Sequence, residues 1–395
     1  MIILKIVFID KDIDVMGGVE RIINTLANSL CNNNKVSVIS EHKNNSNSFF
    51  KYDDRIEMYY IYDRVDFIAS KKAMNSFLLK FKNLFNSIAD YTICRNLSKE
   101  VSNCILEADC LVFGRVNTAL NFLPLLKKIK SGKRKIIVRD AIHLELYNNF
   151  NKRRMKKYFP DLVNCLIVSS DESLNRYKNF FATTSSSFKV KKIYNPLGIV
   201  PSKSNHDSKK IVSLGRIDKQ KGFENLILAF KKVNESNPDW TLDLYGNGPE
   251  KDNLLSLIKE NGLDNVVSIY EPSKDVSSIF ASAAIYVMTS RYEGYANTLV
   301  EALACGTPSI SYDWLMGVDD IIENGKNGLI VKLKDRAEFL NGCINQDDIN
   351  NLAEAIIKLI NDCELRKKFI NNSAKIIETR NKDIIINKWK DIIEK

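Results

Sequence analysis

The sequence predicts an α/β protein built from two Rossmann-like domains in tandem. Three observations predict it: apolar runs of strand length alternate with helical patterns from end to end, the alternation stops once near residues 194–207, and it then restarts. At 395 residues the chain is too long for one ordinary core, and with 45% hydrophobic residues it can fill two.

The first strand is read at residues 2–9, IILKIVFI, followed by a loop ending in Gly17 and Gly18. A helix over Val19–Leu30 places Val19, Ile22, Ile23, Leu26, Ala27 and Leu30 on one face. Strands are expected near Val36–Ile39, Cys110–Phe113, Ile136–Val138 and Leu166–Val168, with a helical middle from Phe67 to Ser102. At Tyr194–Asp207 proline, glycine, serine and asparagine accumulate, which marks a domain boundary. Beyond it come strands at Ile211–Leu214, Thr241–Tyr245, Val266–Ile269, Ala284–Met288, Ser309–Ser311 and Leu329–Val331. Helices are expected at Phe223–Asn234, Lys251–Glu260, Asn297–Ala304 and Val318–Glu323, and again from Asp347. The domains are therefore read as 1–197 and 198–379, and ligands of such sheets gather outside the carboxyl ends of the strands, in an interdomain cleft.

Net charge is +10, and it is unevenly spread. Residues 1–200 hold 32 Lys+Arg against 19 Asp+Glu, whereas 201–395 hold 26 against 29. The densest basic stretches are Lys127–Lys135 and Lys152–Lys157, with Lys71, Lys72, Lys80 and Lys82 around Phe77, Leu78, Leu79 and Phe81. Anionic lipid and nucleic acid are the partners such charge attracts, beside a merely solvated face. No nucleic-acid-binding motif accompanies it, so no nucleic-acid partner is expected. No apolar run reaches 18 residues, and Lys5 and Asp10 interrupt the opening segment, so a cytoplasmic protein is expected. The eight cysteines form no C-x-x-C pair and read as buried thiols, and with three histidines no metal site is expected.

The chemistry is concentrated in Ser290–Gly306, SRYEGYANTLVEALACG. Glu293 ends a loop after a strand, and Glu301 lies one helical turn beyond Asn297. Backbone N–H groups at Ala296, Asn297, Thr298 and Leu299 suit a phosphate, and a carboxylate one turn on suits a ribose diol. Ser213–Gly222, SLGRIDKQKG, follows another strand and offers Arg216 and Lys221 to one anion.

These residues resemble the retaining GT-B glycosyltransferases of family four, whose hallmark is two glutamates separated by seven residues; here they stand in E-G-Y-A-N-T-L-V-E. The G-R-x-x-x-x-K-G segment around Arg216 and Lys221 resembles that family's diphosphate site. The resemblance implies a transferase (EC 2.4) taking a nucleotide-diphosphate sugar, with uridine as the usual base, and needing no bound metal. It assigns catalysis to Glu293, Arg216 and Lys221, and donor binding to these with Gly294, Tyr295, Ala296, Asn297, Thr298, Leu299 and Glu301. Tyr270 and Glu271 lie by resemblance near the base. Gly17 and Gly18, in M-G-G-V-E-R, lie near the donor phosphates and acceptor, while Arg139 and His143 follow a strand where relatives carry a sugar-contacting His. Leu242–Glu250, LDLYGNGPE, reads as a turn that serves the fold. Ser311–Ile322 resembles a subgroup of bacterial surface-polysaccharide transferases, with Val318 where that subgroup has proline. The closing segment 380–395 is expected to return to the first domain. The implied acceptor is a glycan, carried on a lipid at an anionic inner-membrane face. A non-catalytic nucleotide-sugar-binding subunit is the alternative.

Overall fold

The computed structural model describes residues 3–15, 17–43, 48–63, 93–129, 134–183, 188–205, 207–314 and 317–394. Lys71, Lys72, Lys80, Lys82, most of the expected helical middle, Met16 and His206 lie outside these residues. The chain divides into two compact units, Met1–Pro196 with Asp383–Lys395, and Leu197–Lys382.

The first unit holds seven parallel strands: β1 (Lys5–Asp12), β2 (Lys35–Lys43), β3 (Glu57–Asp63), β4 (Cys110–Phe113), β5 (Lys135–Arg139), β6 (Cys165–Val168) and β7 (Lys189–Lys192), in the order β3-β2-β1-β4-β5-β6-β7. Side chains alternate across it. Val7, Ile9, Leu111 and Phe113 pack on one face, and Ile6, Phe8, Cys110 and Val112 on the other. Burial of both faces is why the central strands read as unbroken apolar runs. The helix Gly18–Leu30 covers the second face together with Ile385, Ile386, Trp389 and Ile393 of the helix Lys382–Glu394. Lys135 Nζ also donates to the Ile393 carbonyl at 2.9 Å.

The second unit holds β8 (Lys210–Leu214), β9 (Thr241–Tyr245), β10 (Val267–Tyr270), β11 (Ile285–Met288), β12 (Ser309–Tyr312) and β13 (Gly328–Val331), ordered β10-β9-β8-β11-β12-β13. Its helices include Phe223–Ser236, Lys251–Glu260 and Asn297–Ala304. In each sheet the strand order reverses once, between β1 and β4 and between β8 and β11.

Several expectations need correction. Only Cys31, Cys110, Cys165 and Cys305 are buried; Cys343 is exposed in the turn after the helix Arg336–Leu340, where no layer covers it. His42 lies in β2, buried and paired in register with Asp12. Val318–Asp320 forms a single 3₁₀ turn rather than a helix to Glu323, because the Asn327 side chain accepts from Glu323 N at 2.8 Å and donates to the Ile321 carbonyl at 3.1 Å, taking backbone groups a longer helix would use. Among the described residues no helix is long and apolar enough to cross a membrane.

Candidate functional site

A reversal in strand order opens a crevice at the carboxyl ends of the two strands beside it. In the second unit these strands are β8 and β11, followed by the segments Gly215–Gly222 and Thr289–Ala296. The two segments are tied together. Arg291 N donates to the Gln220 carbonyl at 2.7 Å, Gln220 Nε2 to the Tyr292 carbonyl at 2.9 Å, and Thr289 Oγ1 to the Lys221 carbonyl at 3.0 Å. The buried Arg291 adds Nη1 to the Lys219 carbonyl at 2.7 Å and Nη2 to Glu224 Oε1 at 2.6 Å.

Across this seam Lys221 Nζ donates to Glu293 Oε1 at 2.6 Å. Two residues with separate expected roles thus form one ion pair, largely shielded from solvent. The aliphatic stem of Lys221 lies over Gly215, where a Cβ would stand 2.8 Å from Lys221 Cε. Gly222 turns the chain into its helix at φ +61°, and a Cβ there would lie 2.4 Å from the Thr289 carbonyl oxygen. Arg216 behaves differently: it bonds Asp218, Nε to Oδ2 at 2.6 Å, and its side chain is 71% exposed.

The helix Asn297–Ala304 puts Glu301 one turn after Asn297, and its N-cap, Ala296, offers no side-chain acceptor. The N-terminal turn is therefore uncapped by side chains, and Glu301 is buried at 2% exposure. Glu293 and Glu301 share a neighbour, Tyr286 of β11. Burial first, then both carboxylates, raise the pKa of its hydroxyl, which donates to Thr298 Oγ1 at 2.9 Å. The Tyr295 hydroxyl accepts from Arg380 Nε at 3.1 Å, fixing the segment that carries Gly294.

Gly246 and Gly248 serve the fold, because added Cβ atoms would meet the Gly215 and Ile217 carbonyl oxygens at 1.9 and 2.2 Å. Tyr270 ends β10, is 43% exposed and stacks on Tyr245 with centroids 4.9 Å apart. Glu271 accepts from Lys251 Nζ at 2.6 Å and Asn247 Nδ2 at 2.9 Å, and Lys251 holds its carboxyl below the usual range.

In the first unit the reversal lies between β1 and β4, where a half-buried guanidinium sits between two buried carboxylates. Arg115, just after β4, bonds Asp10 of β1 and Glu20 in the first turn of the helix Gly18–Leu30. Thr118 Oγ1 donates to Asp10 Oδ1 at 3.2 Å. Glu20 fills the room beside Gly17: a Cβ on Gly17 would lie 2.0 Å from Glu20 Oε2. At Gly114 a Cβ would meet Asp10 Cγ at 2.9 Å. Gly18 is the first residue of the helix rather than part of the loop.

Arg139 ends β5, buried, with Nη2 donating to Asn195 Oδ1 at 2.9 Å and Nη1 without a partner among the described residues. Burial lowers its pKa to about 10 against the opposing pull of Asp140. Asp140 accepts from the Tyr147 hydroxyl at 2.7 Å, and burial raises its pKa to about 6. Burial, then Arg176, lowers His143 to about 4, so its ring is neutral at pH 7. Its Nδ1 accepts from Glu145 N at 3.1 Å, which leaves the ring proton on the buried Nε2.

Sequence reasoning passed over Arg291, Gln220, Asp218, Asp10 and Arg115. Asp10 and Arg115 each stand at the end of an apolar strand run, and that position was the available signal.

Residues 199–376 match the family model of glycosyl transferases group 1. A Haemophilus influenzae protein named as an uncharacterized glycosyltransferase is 26% identical over 394 residues, covering 98% of this chain and 99% of that protein. The N-acetylgalactosamine-N,N'-diacetylbacillosaminyl-diphospho-undecaprenol 4-alpha-N-acetylgalactosaminyltransferase of Campylobacter jejuni is 24% identical, covering 90% of each chain. Among solved structures, S. aureus TarM with UDP superposes at TM-score 0.74 with 15% identity, covering 99% of this chain and 100% of TarM. Anabaena HepE with UDP does so at 0.70 with 16% identity, covering 99% and 100%. These likenesses, with the two Rossmann-like units, give the fold as GT-B. The chain is a glycosyltransferase, and over residues 199–376 it is similar to the glycosyl transferases group 1.

Proposed function

We propose that the enzyme moves a sugar from a nucleotide-diphosphate donor, a UDP-sugar, to a hydroxyl of a lipid-linked glycan in bacterial surface-polysaccharide synthesis, with retention at the anomeric carbon. The Lys221–Glu293 pair at the carboxyl ends of β8 and β11 carries this reading. A diphosphate would draw on the Lys221 ammonium and the exposed Arg216 guanidinium, and the helix start at Asn297 would add backbone donors. Glu301 would hold the ribose diol, Glu293 the sugar ring, and Tyr270 and Glu271 the base. Gly17 and Gly18 of the first unit are assigned to the donor phosphates and the acceptor, and Arg139 and His143 to the sugar.

In the step proposed, the acceptor oxygen bonds to the anomeric carbon as the bond from that carbon to the phosphate oxygen breaks. The acceptor proton passes to the leaving phosphate on the same face. Arg216 and Lys221 offset the charge on the leaving group, so no bound divalent metal is required. The Campylobacter relative is named for an undecaprenol-linked acceptor, and UDP is named in the TarM and HepE structures, which supports the substrate classes chosen. Polyprenol-linked substrates would keep the enzyme at the anionic inner face of the cell membrane.

The purified full chain, incubated with a panel of nucleotide sugars and polyprenyl-diphosphate acceptors in EDTA, tests this. Nucleoside-diphosphate release with an α-linked product from an α-donor is expected. Inversion would refute the mechanism, and binding of donor with no turnover on any acceptor would favour a non-catalytic subunit.

A further inference from the structure

The helix Asn149–Leu162 buries Met155, Phe159 and Leu162 and leaves Arg153, Lys156 and Lys157 exposed on the opposite face. The helix Leu123–Ile129 adds the exposed Lys127 and Lys128. The two helices meet at the half-buried Tyr158, with Lys127 Nζ 3.9 Å and Lys157 Nζ 5.2 Å from its ring centroid. Lys156 Nζ lies 5.8 Å from the ring centroid of Phe180, and the exposed Lys178 sits two residues before that ring. Among the described residues none of Lys127, Lys128, Arg153, Lys156, Lys157 and Lys178 has an ion-pair partner. Their neighbours are neutralised: Lys152 pairs with Glu145, and Arg176 with Glu172 and Glu145. One face thus keeps its positive charge while the residues beside it do not. The concentration is felt locally, since Lys127, ahead of Lys157, lowers the pKa of the Tyr158 hydroxyl.

We infer that this lysine face, centred on Lys127, Lys156 and Lys157 around Tyr158, is where the enzyme rests on an anionic phospholipid surface. It uses none of the residues assigned to donor or acceptor, and it rests on the reading of a membrane-facing enzyme given above. The charge complements lipid phosphates, which act together on a basic cluster within a Debye length. A single-stranded nucleic acid would share that attraction but also seeks open aromatic faces for base stacking. Here ammonium groups already lie over both rings, Tyr158 and Phe180. The surface offers charge without a stacking platform.

Sedimentation of the full chain with phosphatidylcholine vesicles, with and without phosphatidylglycerol, tests the inference at low and high salt. Wild type is expected to bind only the anionic vesicles and to detach at high salt. Each charge removed from the face weakens partitioning roughly fivefold, so combined Lys127→Ala, Lys156→Ala and Lys157→Ala lowers it about a hundredfold. A control with Lys259→Ala, Lys274→Ala and Lys388→Ala carries the same charge change elsewhere and is expected to bind as wild type. Equal loss in both triple variants, with folding intact by circular dichroism, overturns the assignment to this face. No binding of wild type at low salt overturns the membrane reading itself and leaves donor chemistry untouched. Tighter binding of an oligonucleotide than of anionic vesicles, lost in the first triple variant, would make the face a nucleic-acid surface instead.

Discussion

The carboxylate of Glu20 occupies the space that a side chain on Gly17 would need, with Oε2 only 2.0 Å from the position of a Cβ. Gly17 has φ −170°, extended backbone open to any residue, so its small size rather than its flexibility is what the site uses. Alanine there is expected to push Glu20 off Arg115 and leave a buried carboxylate without its guanidinium partner. Gly17→Ala should destabilise the protein by roughly 1–3 kcal/mol in urea melts. In a Glu20→Ala background the same change should cost almost nothing. An equal penalty in both backgrounds would show that Glu20 is not the obstacle.

Lys221→Ala and Glu301→Ala should each leave a folded protein by circular dichroism with turnover reduced at least about a hundredfold, the scale of one lost electrostatic donor. Near-normal turnover in both would remove the second-unit site assignment.

Arg291 touches no proposed ligand, yet it holds the Lys219 carbonyl and Glu224 from the segment that also carries Glu293. Arg291→Met should cost on the order of 3 kcal/mol, because it strands Glu224 and frees the loop. It should also lower kcat/KM by displacing the Lys221–Glu293 pair. A variant with wild-type stability and kinetics would mean the seam holds without the guanidinium.

Glu41, in β2, accepts from Asn121 Nδ2 at 3.1 Å, and burial raises its pKa from 4.5 to about 7. Between those values the folded chain keeps a proton that the unfolded chain has lost, so stability falls as pH rises through the window and levels off above it. At about 1.4 kcal/mol per pKa unit the change is on the order of 3 kcal/mol. Glu41→Gln should therefore flatten the stability profile between about pH 5 and 8 and exceed wild type at the upper end. Parallel profiles for the two proteins would contradict this.

Much of the fold could be read before the structure because burial on both sheet faces writes strands as apolar runs. Cys110–Phe113 and Thr241–Tyr245 fall where their sequences put them, as do the helices Lys251–Glu260 and Asn297–Ala304. β3, EMYYIYD, and β7, KVKK, were missed, since edge strands carry aromatics and lysines in place of a continuous apolar run. At the site, glycine, lysine and glutamate spacing located both loops after β8 and β11. What spacing could not reveal was pairing. That Lys221 meets Glu293, that Arg216 turns to Asp218, and that Arg139 bonds Asn195 of the boundary segment all depend on contacts distant in sequence or on rotamers.

The return of Ile385, Ile386, Trp389 and Ile393 to the first sheet makes the second unit an insertion within the first. During synthesis, residues 197–382 are complete before the segment that seals the β1 side of the earlier sheet has been made. The earlier-encoded unit therefore keeps an open apolar flank until Asp383–Lys395 are in place, and a chain cut after Lys382 would retain every residue of the second unit while leaving the first sheet bare on that side.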